Sequence, residues 1–404
     1  MKKQILSILI AAILIVSSVF VLAACKPNEG TTTELVAAAE DMTWDEIYAK
    51  AKEETGDFRA YGNTSRITTA MANFVAKYGQ ELGLNENNAL GSKMNDSQIY
   101  TTLASEYAST NNSKGASMVM IQDGAQLVLY REQTKMLINY VPQSMKSKVD
   151  AEGQVPLVQQ YINKLFIWNN TGDNVPSITN VWQLTEPAMK SKVFFKSPSL
   201  EQVNMNFLIM LTSDAWATKL AEAYKAYYGK DIQLGSYKNA GYKWVAEFIA
   251  NANFAIDSDT TMARELSKTE NAGNIGLFVL SKLRDSSVVA SNLQVGAFVK
   301  ENDQYVTINP FAGFMYPMYC QVAANGPRPY TALLFIEYLM TEEGFEPWGS
   351  DIGAYSSNSD IGVNDGDETL AFWKNILVFE DPDYIRANKA TVVDFVTAEI
   401  DKKD

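Results

Sequence analysis

Ile67, Met71, Phe74 and Val75 share one face of a helix predicted from Ser65 to about Tyr78, directly after an apolar run, Phe58–Tyr61, that reads as a strand. The same alternation continues along the chain. Thr43-Trp44-Asp45-Glu46 fits a capping box opening a short helix to about Glu54, stopped near Gly56. Ser117–Ile121 predicts a strand, followed by helical segments through about Lys148. Leu165–Asn169 and Val193–Lys196 read as further strands, with a helical turn at Val181–Leu184 between them. Helices are predicted at Ser199–Thr212, Trp216–Tyr228 and Tyr242–Asn251, then strands at Ile275–Leu280, Gln294–Val299 and Gln304–Ile308. Tyr330–Met340 is a strongly apolar helix, with Pro329 suited to its first turn. Short strands alternating with helices predict an α/β protein with mainly parallel sheets.

One apolar run does not belong to that pattern. Ile5 to about Leu22 follows Lys2-Lys3 and ends in Leu22-Ala23-Ala24-Cys25, which reads as a secretory leader. The ending resembles the bacterial lipobox, which implies cleavage after residue 24, lipidation of Cys25 and a domain held on the outer face of the cell membrane. The alternative is an uncleaved anchor helix, since a span needs about 20 apolar residues. Residues 26–40 read as a flexible tether.

Composition narrows the chemistry. Without the leader about 380 of the 404 residues remain, enough for two lobes. The formal charge of −13 argues against nucleic acid and against a polybasic membrane patch. With Cys25 assigned to lipid, Cys320 has no disulfide partner and reads as a buried apolar residue. The chain has no histidine, which removes Ser-His-Asp and Cys-His catalysis and histidine-ligated zinc.

Three segments, in order, resemble the extracellular solute-binding proteins of ATP-driven importers, in the branch that includes ferric-iron, phosphonate and sugar-phosphate binders. They are Phe58-Arg59-Ala60-Tyr61-Gly62-Asn63-Thr64-Ser65-Arg66; Trp168-Asn169 with Pro176 and the run Val181-Trp182-Gln183-Leu184-Thr185-Glu186-Pro187 through Val193; and Pro329 through Gly344. The resemblance implies a type 2 periplasmic-binding-protein fold of two lobes closing over a ligand. The first lobe would be discontinuous, 43–160 plus 307–404, and the second would be 161–306. It implies no catalysis and no cofactor, a monomer, and a permease of the ABC type as partner.

Ligands of open α/β sheets sit at strand carboxyl ends, where helix N-termini present free amides. Asn63, Thr64, Ser65 and Arg66 occupy such a place and suit a carboxylate, phosphate or phosphonate; an ordinary helix cap with a solvated arginine would look the same. Ser197 and Ser199 stand where the resembled family contacts solute, although Ser199 with Gln202 also makes an S-x-x-Q capping box. Gln122 and Asp123 follow a strand and would face the same cleft. Gly313 and Tyr316, placed after the last crossover strand, would form a cleft wall or belong to the core. Iron fits poorly, because Tyr227-Tyr228 is the one adjacent tyrosine pair and it ends an amphipathic helix. A polyamine cage of Trp168, tyrosines and Asp123 remains open, as does a carboxylate hydrolase. Asp360–Glu368 reads as a solvated acidic loop without EF-hand spacing.

Overall fold

The computed structural model describes residues 29–109, 112–172, 175, 177–302, 304–350 and 352–403. The leader, Cys25 with its lipobox, the first residues of the expected tether and Pro176 lie outside the described residues. The rest of that tether is not flexible chain: Glu29–Ala39 forms a helix. Val36 and Ala39 are buried in the first-lobe core against the Pro329–Leu339 helix, and that apolar anchoring is what the polar start of the segment concealed.

The capping box forms as expected. Thr43 N–H donates to Glu46 Oε2 at 2.8 Å, and the helix it opens runs Trp44–Ala51. The Phe58–Gly62 strand leads into the Arg66–Leu82 helix, which buries Ile67, Met71 and Phe74 and ends at Gly83 in the left-handed conformation (φ 63°). Phe74 packs on Phe58, Phe335 and Tyr338, so the first predicted strand–helix unit is seated on the late apolar helix.

One curled sheet runs through both lobes. In the first lobe, Ala89–Lys93, Phe58–Gly62 and Met118–Ile121 pair in parallel; in the second, Ile275–Val279, Val193–Phe194 and Ala252–Asn253 do the same. Two long strands, Val158–Asn169 and Gly313–Ala323, join the halves, pairing antiparallel from Gly313 with Leu165 to Met318 with Gln160 before a register shift. The lobes are therefore linked by continuous hydrogen-bonded strands. Gly313 and Tyr316 lie inside the second crossover strand rather than after it. Gly313 has a packing reason for being glycine: a Cβ there would collide with the Lys164 carbonyl oxygen. Cys320, on the same strand, is fully buried, and burial pushes its thiol pKa up.

Each lobe has its own apolar core, one built around Phe58, Phe74 and Phe335 and the other around Trp182, Phe207 and Trp244. The carboxyl-terminal stretch, expected wholly in the first lobe, is shared. Its last helix, Pro382–Asp401, packs on the second-lobe helices Gln202–Leu211 and Ala240–Asn251 as well as on the first-lobe helix Gly124–Glu132.

Candidate functional site

A cavity of 420 Å³ lies between the lobes, with the crossover strands as its floor. From the first lobe come Asn63 to Arg66, Lys93 and Gln122; from the floor, Gln160, Ile162, Tyr316 and Met318. The second lobe supplies Lys196, Glu201, the Ser258–Thr260 turn, Ser281, Lys282 and Arg284, and Trp348 with Gly353 closes the hinge side. Two helix N-termini line this space, at Arg66 after Thr64-Ser65 and at Asp259 after its cap Ser258. Their dipoles favour negative charge between the lobes.

The charges lining the cleft are mostly positive. Lys164 rises from the floor, fully buried, with Nζ 2.9 Å from Asn204 Oδ1, 3.3 Å from Glu201 and 3.5 Å from Asp259. Burial works against its charge, but Asp259 and Glu201 hold its pKa above the ordinary lysine value. Burial would raise the Glu201 carboxyl, yet Lys164 and Lys196 bring it down to about 2, so both acids of the cleft are already neutralised by lysines. Arg66, Lys93, Lys282 and Arg284 face one another across the gap, with Glu346 acting on Arg66 and Asp285 on Arg284. Burial, reinforced by Arg284, lowers the Arg66 pKa to about 10. Lys282 is likewise lowered, by burial and then, against the pull of Asp259, by Arg284, Arg66 and Lys93. The Arg66 and Arg284 guanidiniums are aimed by backbone oxygens: Arg66 Nη1 donates to Trp348 O at 2.9 Å and Arg284 Nη1 to Ser281 O at 3.0 Å.

Behind the first-lobe wall lies a seam of acids. Asn63 Nδ2 and Gln122 N–H donate to Asp96 Oδ1 at 3.3 and 3.4 Å, and burial together with Asp123 pushes Asp96 up to about 7. Asp123 caps the Gly124–Glu132 helix through Gln126 N–H and lies 3.5 Å from Lys389. Glu380 accepts from Asn206 Nδ2 at 3.2 Å, and burial followed by Asp123 pushes it up to about 8.

Of the residues singled out from the sequence, the fold brings Asn63, Thr64, Ser65, Arg66, Gln122 and Tyr316 to the cleft. Asp123 stays behind it as a helix cap, and Gly313 is packed inside the sheet. Ser197 and Ser199 do not line the cavity. The helix begins three residues later than expected, at Gln202, because Ser197 O accepts from both Leu200 and Glu201 N–H in a tight turn; Ser199 is exposed and caps nothing. Their neighbours Lys196 and Glu201 line the space instead. Trp168 is buried in the second-lobe core, so the aromatic–acidic cage with Asp123 does not assemble. Tyr227 and Tyr228 sit half-exposed against Glu186, their hydroxyls 3.0 and 3.4 Å from Oε1, and neither lines the cleft. In the acidic loop, Asp367 is occupied by Gly353 N–H, the Tyr355 hydroxyl and Trp373 Nε1.

Lys93, Ser258–Thr260, Ser281, Lys282, Arg284 and Trp348 were not singled out from the sequence. A signal existed for three of them. Ser281, Lys282 and Arg284 directly follow a predicted strand, the position that drew attention to Arg66.

Neither a protein-family model nor a curated protein matches the chain. Solved structures do. The ferric binding protein from Campylobacter jejuni superimposes with a TM-score of 0.60 at 12% identity, over 85% of this chain and 99% of that one. Iron-bound HitA from Pseudomonas aeruginosa gives 0.58 at 12%, with the same coverage. An ABC transporter structure from Clostridium perfringens gives 0.55 at 10%, again over 85% and 99%. The likeness shows the fold alone: the two-lobe type 2 architecture of the periplasmic binding proteins, with the cavity lying between its lobes. No helix among the described residues is long and apolar enough to cross a membrane.

Proposed function

We propose that the chain is an extracytoplasmic solute receptor of an ABC importer, tethered through a lipidated Cys25, that captures a small anionic solute by closing its lobes. The observation that carries the reading is the charge of the cleft: arginines and lysines from both lobes converge, in a protein whose overall charge is −13, while the two lining acids are held by Lys164 and Lys196. Concentrating like charge in a cleft costs stability unless a counter-charge fills it. The fold supports a binding role rather than catalysis, and closure gives the solute a higher affinity for one of two arrangements, which is all that delivery to a permease requires.

A bare ferric ion is disfavoured by the same charge. A trivalent cation would enter a space already positive, with Tyr316 as the one tyrosine among its lining residues and with that hydroxyl's pKa raised well above the ordinary value by burial.

The test is thermal melting of ligand-stripped protein against phosphate, citrate, putrescine and ferric salts. An anion at a hundredfold excess over its dissociation constant should add about 2.7 kcal/mol of stability. Arg66→Gln should weaken that anion at least tenfold. Stabilisation by putrescine or ferric ion with none by any anion would sink the proposal.

A further inference from the structure

The cleft does not end at its mouth. Beyond it, on the second lobe, lies a recess of 370 Å³ that shares Thr260, Ser281, Lys282 and Arg284 with the cleft and adds Ser286 and an Arg264–Asp285 pair. That pair is internally neutral, with Arg264 Nη2 2.6 Å from Asp285 Oδ2, so the recess owes its positive character to Lys282 and Arg284. These two cations therefore stand between two spaces, one reaching across to Arg66 and Lys93 and the other running outward along hydroxyl groups.

Charge bookkeeping points the same way. Six cationic side chains, the five that line the cleft and Lys164 beneath it, face two acidic ones, a surplus of four positive charges. A phosphoryl monoester supplies only about −1.5 to −2 at neutral pH, so one such group leaves the cations under-neutralised, while two match them. The lining also holds polar atoms with no partner among the described residues. Gln160 is fully buried and its Oε1 accepts nothing, nor does Asn63 Oδ1; the Trp348 indole N–H, on a side chain 2% exposed, donates to nothing. Orphaned acceptors call for donors on the ligand, and an orphaned donor beside Arg66 calls for a further acceptor.

Resting on the anion-receptor reading, we infer that the solute carries two separate anionic groups on a hydroxyl-bearing frame, one seated at Arg66 and Lys93 and the other at Lys282 and Arg284. Two phosphoryl groups, or a hydroxylated di- or tricarboxylate, satisfy this chemistry. Closure then brings each lobe's cations onto its own anionic group, and hydroxyls on the frame would meet the unpartnered oxygens of Gln160 and Asn63.

Calorimetric titration with inorganic phosphate, a hexose monophosphate, the corresponding hexose bisphosphate, and citrate against acetate tests this directly. The bisphosphate should bind at least 100-fold more tightly than the monophosphate, or citrate at least 100-fold more tightly than acetate; which pair shows the gap identifies the anionic group. In the double variant Lys282→Gln, Arg284→Gln that ratio should fall below about 5, with an unchanged circular dichroism spectrum showing that the fold survives. Equal affinities within each pair would overturn the two-group inference while leaving the anion receptor standing. Failure of every anion to bind would overturn both. A ratio untouched by the double variant would place the second group elsewhere and overturn the assignment to Lys282 and Arg284.

Discussion

Glu380 is a carboxyl placed where a charge is hard to hold. It is 4% exposed, accepts from Asn206 Nδ2 of the second lobe on one oxygen, and keeps the other without a hydrogen-bond partner among the described residues. The titratable groups around it are Asp123 and Asp96 from the first lobe and Tyr316 and Tyr319 from the crossover strand, with Tyr100 beyond; Lys389 is directed to Asp123 instead. With a folded pKa of about 8 and an unfolded one in the ordinary carboxylate range, the folded protein keeps a proton that the unfolded chain releases. Stability must therefore fall as pH rises from about 4.5 to about 8, by about 1.4 kcal/mol per pH unit from this group, and level off above. Glu380→Gln removes that component, so its denaturant midpoint should decline less steeply than the wild type's between pH 5 and 8. Parallel declines across that interval would show that Glu380 is ionised in the folded protein.

Lys164 acts at the scale of elements, because it ties one strand to the starts of two helices. Glu201 is the cap residue of Gln202–Leu211 and Asp259 the first residue of Asp259–Leu266, and both carboxylates reach this one buried ammonium. Lys164→Met would leave Asp259 without its cation and Glu201 with Lys196 alone, a loss of about 3–5 kcal/mol at neutral pH by comparison with other broken buried pairs. The depressed pKa of Glu201 contributes stability only above the ordinary carboxylate range and loses it as pH falls towards about 2. The gap between variant and wild type should accordingly narrow below pH 4.5 in urea titrations. A gap that is constant with pH would mean that packing, not charge, sets the cost.

The same strand shows what the sequence could and could not reveal. Where burial follows a period, as in Ile67, Met71 and Phe74, or where an apolar run is long and opened by a proline, as after Pro329, the elements were legible from the pattern alone. Val158–Asn169 was legible only at its apolar end, Leu165–Asn169. Its first half carries Gln159, Gln160, Asn163 and Lys164, all buried, because that part of the strand runs under a polar cleft rather than through a core. The second crossover strand was hidden for the opposite reason. Its eleven residues are buried without alternation and interrupted by Pro317, so no period of two appears. The site followed suit. Arg66 and Gln122 were found because strand ends are good places to look, whereas Lys93 reaches the cleft through strand pairing with Gly62 and Trp348 through packing of its helix on Arg66–Leu82, neither of which local pattern encodes.

At the scale of the whole molecule, the proposed anion receptor would have the cations of its cleft set the resting position of the lobes. Closing brings Arg66 and Lys93 of one lobe towards Lys282 and Arg284 of the other, as the lowering of Arg66 by Arg284 and of Lys282 by Arg66 and Lys93, each on top of burial, already records. Without an anion this repulsion opposes closure; with one, the same four groups become its ligands, so a single charge arrangement supplies both the opening force and the affinity for the closed form. Small-angle scattering of the ligand-free protein in about 10 mM salt should then give a larger radius of gyration than the anion-bound form. Arg66→Gln combined with Arg284→Gln should shift the ligand-free protein towards the smaller radius while abolishing the response to anion. Salt separates this from a purely mechanical hinge. The screening length falls from about 30 Å at 0.01 M to about 3 Å at 1 M, so wild type in 1 M of a non-binding salt should approach the radius of the double variant, which itself should scarcely respond. If the ligand-free wild type has the same radius at both salt concentrations and matches the variant throughout, the crossover strands alone fix the opening, and the cations serve only to bind.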